Sequence, residues 1–420
     1  MNWSERDKKV NWHPFSSFKE KNIIAITKAE GIYLFDENGN KYIDAISSWW
    51  VNIHGHNNPY LIEAIEQHLK NMDHIIFAGM THPKAVELSE KLVQFVPGNY
   101  SRVFYSDDGS TANEVALKMA LQYFYNKKEK RNKIIAFENA YHGDTFGVMS
   151  AGGKSIFNEA FQSHLFKDVI HIPVPVQPYS DEEWSRVEQC FTNDVAAFIF
   201  EPLLQGAAGM IMYDSGSLNK LIALAKSKGI ITIADEVLTG FGRTGTWFAS
   251  EQFQEKADLM CLSKGITGGI LPLGVTLVNE KVLNGFKDSV EIKFYHGHSY
   301  TANSLACAAA CANLDLLNED CLKKIKHIEK SHADFLNSLN HSLVYNPRSL
   351  GTVLAINYGT CKGEYDSTLR DKMYSFFIKK GLLMRPLGNV SYIIPPYCIM
   401  EDELKFIYQC MIEFTDKINR

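Results

Sequence analysis

Apolar runs of strand length alternate with helix-like runs through the middle of this chain, and that alternation is its strongest constraint on fold. Residues 102–105, 133–137, 195–200, 230–234 and 259–262 are short and apolar. Between the first two, residues 111–125 carry Val115, Met119 and Tyr123 at a four-residue step, which predicts an amphipathic helix. Residues 217–228 predict another, with Ser217 as N-cap and Gly229 as stop. The β-α-β order argues for an α/β fold with a mostly parallel sheet.

The ends read differently. Residues 23–46 predict short strands with a turn at Glu37-Asn-Gly-Asn40. Residues 314–345 look helical and charged, and 350–395 mix short strands with a helix. A length of 420 residues suggests two to three domains. The expected organisation is a large domain over 55–310 and a small one assembled from 1–54 and 311–420.

Composition excludes several classes. A hydrophobic fraction of 45% with 22% charged residues is that of an ordinary globular protein, not of a disordered chain or a disulfide scaffold. The net charge of −5 gives no electrostatic case for nucleic acid or an anionic membrane. Residues 1–10 are charged and lack an apolar stretch, so no secretory signal is expected. The longest apolar runs fall far short of a membrane span. Eight cysteines are scattered without a CxxC, which fits a reducing cytoplasm. Cys307 and Cys311 sit in an alanine-rich segment and read as small buried residues on one helix face.

Asp235 ends one strand-like run and Lys264 follows another, 29 residues on. Ligands of parallel sheets bind at the carboxyl ends of strands. A lysine amine and an acid there suit pyridoxal phosphate, which needs a covalent amine partner and a carboxylate beside its ring nitrogen. The same spacing fits a salt bridge or two surface charges. Ser106-Asp-Asp-Gly-Ser-Thr111, between a strand and a helix, offers backbone N–H groups and hydroxyls to a phosphate, or an ordinary helix cap.

Three further features carry competing readings. Gly240-Phe-Gly-Arg-Thr-Gly245 matches a dinucleotide fingerprint but neither follows a strand directly nor opens a helix, so it reads as a Gly-rich loop. Arg243 within it braces the loop or contacts substrate, and bracing is favoured. His54-Gly-His56 and His296-Gly-His298 lack further ligands at metal spacing. Trp49-Trp50 fits a pocket wall or the core.

Taken together the segments resemble class III aminotransferases of pyridoxal-phosphate fold type I, over nearly the whole chain. The motifs are Trp12-His-Pro-Phe-Ser-Ser-Phe18, Ser47-Ser-Trp-Trp50, Gly55-His-Asn-Asn-Pro59 and Asp107-Asp-Gly-Ser-Thr111. Then come Tyr141-His-Gly-Asp-Thr-Phe-Gly147, Glu201-Pro-Leu-Leu-Gln-Gly206, Ala234-Asp-Glu236, the Gly240–Gly245 loop and Ser263-Lys-Gly265. Arg385-Pro-Leu-Gly388, Tyr392 and Pro395-Pro-Tyr397 complete the set. The Ser-Ser-Trp-Trp, Tyr-His-Gly-Asp and Arg-Pro segments are similar to the branch that acts in biotin synthesis.

The resemblance implies a large domain with a mostly parallel sheet flanked by helices and a small α+β domain. It implies pyridoxal 5'-phosphate held covalently by Lys264, with Asp235 on the pyridinium, Gly109 and Ser110 on the phosphate, and Tyr141 stacked on the ring. Trp50, Phe15, Asp144 and Tyr392 would line the substrate pocket, and Arg385 would take a substrate carboxylate. Gly297-His-Ser299 matches a stretch that completes the phosphate cup of a partner subunit, so a homodimer is implied. The implied substrates are S-adenosylmethionine as amino donor and 8-amino-7-oxononanoate as acceptor; lysine as donor, or an ω-amino acid or diamine reaction, are the alternatives. Three departures stand out: Phe15 replaces a tyrosine, His298 and Ser299 replace a Pro-Thr pair, and Ala140 replaces a glycine. Phe15 removes a hydroxyl from the donor pocket, while Asp144 is retained.

Overall fold

The computed structural model describes residues 2–17, 23–155, 157–287, 289–359 and 367–418. Phe18, the last residue of the first motif, lies outside them. The N-terminal strands are β1 (Ile26–Glu30), β2 (Tyr33–Asp36) and β3 (Lys41–Asp44). The middle of the chain supplies β4 (Tyr100–Ser106), β5 (Lys133–Phe137), β6 (Val169–Ile172), β7 (Val195–Phe200), β8 (Leu204–Gln205), β9 (Ile211–Met212), β10 (Ile231–Asp235), β11 (Leu259–Leu262) and β12 (Gly274–Asn279). The C-terminal part adds β13 (Val344–Leu350), β14 (Val353–Tyr358), β15 (Leu382–Leu383) and β16 (Val390–Ile393).

A seven-stranded sheet in the order β4-β12-β11-β10-β7-β5-β6 forms the centre. Pairing is parallel from β11 through β10, β7 and β5 to β6. Only β12 runs antiparallel, to both β11 and β4. Its link from β11 holds one short 3-10 turn, Lys264–Thr267, too little chain for the helical crossover that a parallel return needs.

Every residue of β7 and β10 is buried, because helices cover both faces. Side chains alternate: Phe198 and Phe200 enter one apolar cluster, Ala197 and Ile199 the other. The helix Gly109–Asn126 packs Val115, Met119 and Tyr123 into the second cluster, at the step expected from sequence. The helix Ser215–Ser227 packs Leu218, Leu221 and Ile222 into the first. Its N-cap is Asp214, not Ser217: the Asp214 carboxylate accepts from the Ser217 N–H at 2.6 Å, which makes Ser217 the third helical residue. Gly229, at φ +72°, ends it as expected.

Strands β1, β2, β3 and β15 form a second sheet, so the N-terminal strands join one from the C-terminal part. The expected turn lies between β2 and β3, where the Asp36 carboxylate accepts from the N–H groups of Asn38 and Asn40. Strands β13, β14 and β16 form a third. The alanine-rich segment is the helix Ser304–Leu316, which buries Cys307 and Cys311, and the helical stretch expected over 314–345 is the helix Glu319–Ser338. It stops short of 345 because Val344 is already paired to Tyr358 in the third sheet. No helix among the described residues is long and apolar enough to cross a membrane.

Candidate active site

A cavity of about 430 Å³ opens at the carboxyl ends of the parallel strands. Strand ends project their last side chains toward this edge, and three do so here. Asp235 closes β10, Glu201 follows β7, and Lys264 follows β11 by two residues; all three line the cavity. The opposite wall is the N-terminal turn of the helix Gly109–Asn126, capped by the Asp108 carboxylate on the Thr111 N–H at 2.7 Å. Tyr141, His142, Gly143, Val237 and Trp50 are also among the lining residues.

Asp235 is buried, and it is fully engaged without Lys264. Its Oδ2 accepts from Asn113 Nδ2 at 2.8 Å and lies 2.7 Å from His142 Nδ1, while Oδ1 accepts from the Val237 N–H at 3.1 Å. No ion pair joins Asp235 to Lys264, so the salt-bridge reading of these two charges does not hold. Burial lowers the pKa of the Lys264 amine, against the opposing pull of Asp235, Glu201 and Asp108. Its Nζ stands 5.2 Å from the centre of the Trp50 ring.

Glu201 is the buried acid that sequence reasoning left without a role. Burial pushes its pKa up to about 7, with Asp235 adding to the shift and His142 opposing it. It accepts from the N–H groups of Tyr141 at 3.0 Å and Gly206 at 3.2 Å, fixing two stretches of the wall. The Tyr141 hydroxyl donates to Asp144 at 2.9 Å, and burial, then Asp144, raises its pKa. The Asp144 N–H donates to Ser110 Oγ at 3.2 Å, tying this loop to the helix N-terminus.

Trp49 and Trp50 lie on an unusual turn. Ser47, Ser48, Trp49 and Trp50 have φ of 52°, 45°, 71° and 74°, a left-handed helical turn without glycine. Each such L-residue costs roughly 1–2 kcal/mol, so surrounding contacts must hold it. Arg243, buried in the Gly-rich loop, donates to the carbonyls of Trp50 at 3.2 Å, Asn52 at 3.3 Å and Pro395 at 2.8 Å. That is the bracing role favoured from sequence. Trp50 faces the cavity and donates through Nε1 to the Tyr392 hydroxyl at 3.2 Å. Tyr392 is buried behind Trp50 and is not among the residues lining the cavity. Trp49 is not among the residues lining the cavity; the Arg385 guanidinium lies 4.4 Å from its ring centre, and Phe15 lies 5.4 Å away between ring centres. Phe15 also meets Phe157 edge-on at 5.7 Å.

The residues expected from sequence therefore divide. Lys264, Asp235, Gly109, Ser110, Tyr141 and Trp50 line one cavity. Phe15 and Arg385 gather on Trp49, and Asp144 is held by Tyr141. Gly297 and Ser299 do not line the cavity of their own chain; between them, His298 Nε2 comes within 3.9 Å of Asp107. His54 and His56 are engaged by Asn313 and Asp44, at 2.9 Å each. Asn113, His142 and Glu201 had gone unassigned. Asn113 was detectable as a polar residue on the buried face of its helix, and Glu201 as an acid ending an apolar run, the pattern that marked Asp235.

The donor set fits pyridoxal phosphate. A helix N-terminus with Gly109 and Ser110 offers N–H groups and a hydroxyl to the phosphate. A buried, hydrogen-bonded carboxylate stands ready for a protonated ring nitrogen, and a lysine of lowered pKa for its aldehyde. These features define a pyridoxal-phosphate transferase of fold type I. Residues 15–414 match the family Aminotransferase class-III, and the chain belongs to that family. A protein of Synechococcus elongatus named adenosylmethionine-8-amino-7-oxononanoate aminotransferase is 44% identical over 97% of this chain and 98% of its own length. The structure of the enzyme of that name from Methanocaldococcus jannaschii superposes with a TM-score of 0.93, at 34% identity, over 99% of this chain and 98% of the other. An amine transaminase from an uncultivated Pseudomonas species, described as PLP-bound, superposes with a TM-score of 0.89 at 28% identity, over 97% and 98%.

Proposed function

We propose that this aminotransferase moves an amino group from S-adenosylmethionine to 8-amino-7-oxononanoate, giving 7,8-diaminononanoate. The observation that carries this reading is the paired indole turn beside Lys264. Trp50, held from behind by the Tyr392 hydroxyl, walls the reacting amine, and Trp49 packs on Arg385, the guanidinium for a substrate carboxylate. The identically named relatives support it.

Pyridoxal phosphate, when bound, supplies an aldehyde for the amino group and a protonated ring that withdraws electrons from the reacting carbon. Gly109 and Ser110 would hold its phosphate, Asp235 would favour the protonated ring nitrogen, and Tyr141 would pack on the ring. Lys264 Nζ, whose pKa burial lowers, takes the proton from the donor's α-carbon and in the second half-reaction delivers one to the acceptor carbon. Arg385 grips the acceptor carboxylate with two parallel N–H bonds. The two substrates use one cavity in turn, so ping-pong kinetics follow.

The active assembly is a homodimer in which Gly297 and Ser299 complete the phosphate site of the other subunit. The seven cysteines among the described residues are all free, which supports a reducing, cytoplasmic setting.

The test is one half-reaction: holoenzyme is mixed with S-adenosylmethionine or with L-lysine, and the cofactor's visible band is followed. Bleaching by S-adenosylmethionine alone is expected. Bleaching by lysine alone moves the donor to the second reading that Phe15 raises, and bleaching by neither overturns the assignment.

A further inference from the structure

Asp44 is a buried carboxylate that the reaction above does not use, and all its bonds are directed. It closes β3 with its side chain out of solvent. Oδ1 accepts from the Ser48 N–H at 2.9 Å and the Ile46 N–H at 3.3 Å; Oδ2 accepts from the Ser48 hydroxyl at 2.7 Å and lies 2.9 Å from His56 Nε2. Three of these four contacts run to residues 46 and 48, at the entry of the left-handed turn.

That turn contains no glycine, so its backbone is biased toward the right-handed region. Relaxation would reorient both indoles, since each is carried on a residue of positive φ. Trp50 would leave Lys264 and Tyr392, and Trp49 would leave Arg385. Carboxylate oxygens accept, which matches the two N–H groups and the hydroxyl aimed at Asp44. Arg243 holds the exit of the turn through the Trp50 and Asn52 carbonyls, so the segment is clamped at both ends.

We propose that Asp44 is a positioning residue of the active site: it locks residues 47–50 left-handed, so that Trp50 faces the reacting lysine and Trp49 presents Arg385 to the substrate carboxylate. This rests on the proposed function for the reaction measured and extends it to a group that touches no substrate.

The experiment compares wild-type holoenzyme with Asp44→Ala, Asp44→Asn and the double variant Asp44→Ala/Ser48→Gly. Cofactor content is read from visible absorbance, and kcat and KM for 8-amino-7-oxononanoate at saturating donor. Asp44→Ala is expected to keep its cofactor while the acceptor KM rises about tenfold or more. Asp44→Asn, whose amide oxygen still accepts from the Ser48 N–H, stays within about threefold of wild type. Glycine at 48 is free at positive φ and recovers about a third or more of the loss. A wild-type KM in Asp44→Ala overturns the proposal, as does a loss that glycine leaves untouched. Should Asp44→Ala not accumulate as folded protein, Ser48→Ala removes the hydroxyl bond alone and is expected to raise KM by about two- to fivefold; an unchanged KM there overturns it. If the wild type does not aminate 8-amino-7-oxononanoate with any donor, the functional reading has failed on its own. The variants are then scored on the half-reaction with whichever amine bleaches the wild type, and bleaching of Asp44→Ala with wild-type rate and saturation overturns the positioning role separately.

Discussion

His142 Nδ1 lies 2.7 Å from Asp235 Oδ2, a buried contact between residues 93 positions apart. With Asp235 ionised the imidazole must carry its proton on Nδ1 and donate it. Together with Asn113 and the Val237 N–H, it satisfies the Asp235 oxygens out of water. The carboxylate is thus held by directed donors at the strand end, where it can meet a cation.

Asp235→Asn tests that charge. The amide keeps the volume but no longer favours a protonated ring, and turnover should fall about 100-fold or more. The unmatched donors should cost about 1–3 kcal/mol of stability. Steady-state rates and thermal melts of the variant measure both; wild-type turnover would refute the role.

Lys264→Ala removes the only cavity amine among the described lining residues. The expected result is a loss of turnover of about a thousandfold or more, as general acid–base groups contribute on this scale. The visible band of the holoenzyme should also shift, because no lysine holds the cofactor at this position. A variant with wild-type rate would sink the mechanism.

Glu201 links the site to pH. Its folded pKa of about 7 stands above the ordinary 4.5, so the folded chain binds the extra proton between those values. Stability from this group is full below about 4.5 and is lost as pH rises toward about 7. Glu201→Gln should remove that slope, so wild type and variant should diverge by on the order of 3 kcal/mol between pH 4.5 and 8. Denaturant titrations of the cofactor-free chain at the two pH values give the comparison; equal slopes would contradict the assignment.

Gly143→Ala probes the phosphate wall. At φ +128° a Cβ would sit 2.3 Å from Ser110 Oγ. The backbone of Ser110 or of the Tyr141 loop must then move. We expect a loss of about 1–3 kcal/mol in stability and a weaker hold on the cofactor, read by dialysis against phosphate. Unchanged retention would show that Ser110 has room to yield.

Much of this was legible in the chain. The strands of the central sheet are buried on both faces, so they appear as unbroken apolar runs; the acid and the lysine at two of their ends fitted pyridoxal phosphate or a salt bridge, and the family resemblance chose the cofactor. The helix after Gly109 was legible from the spacing of Val115, Met119 and Tyr123. The start of the helix Ser215–Ser227 was misplaced because Ser217 and Asp214 are both good caps, and only backbone geometry separates them.

What the sequence by itself determined was the alternation of elements and which side chains are candidates for the chemistry, because both follow from local pattern and side-chain type. What only the tertiary structure decided was how those groups are held. Asn113 stands 122 residues from Asp235, and Arg243 stands 193 from Trp50. Nor does Ser-Ser-Trp-Trp carry a local signal for a left-handed turn; its conformation is set by the Asp44 carboxylate and the Arg243 guanidinium, which reach it only once the chain has folded. Local preference opposes that backbone, and contacts distant in sequence overrule it.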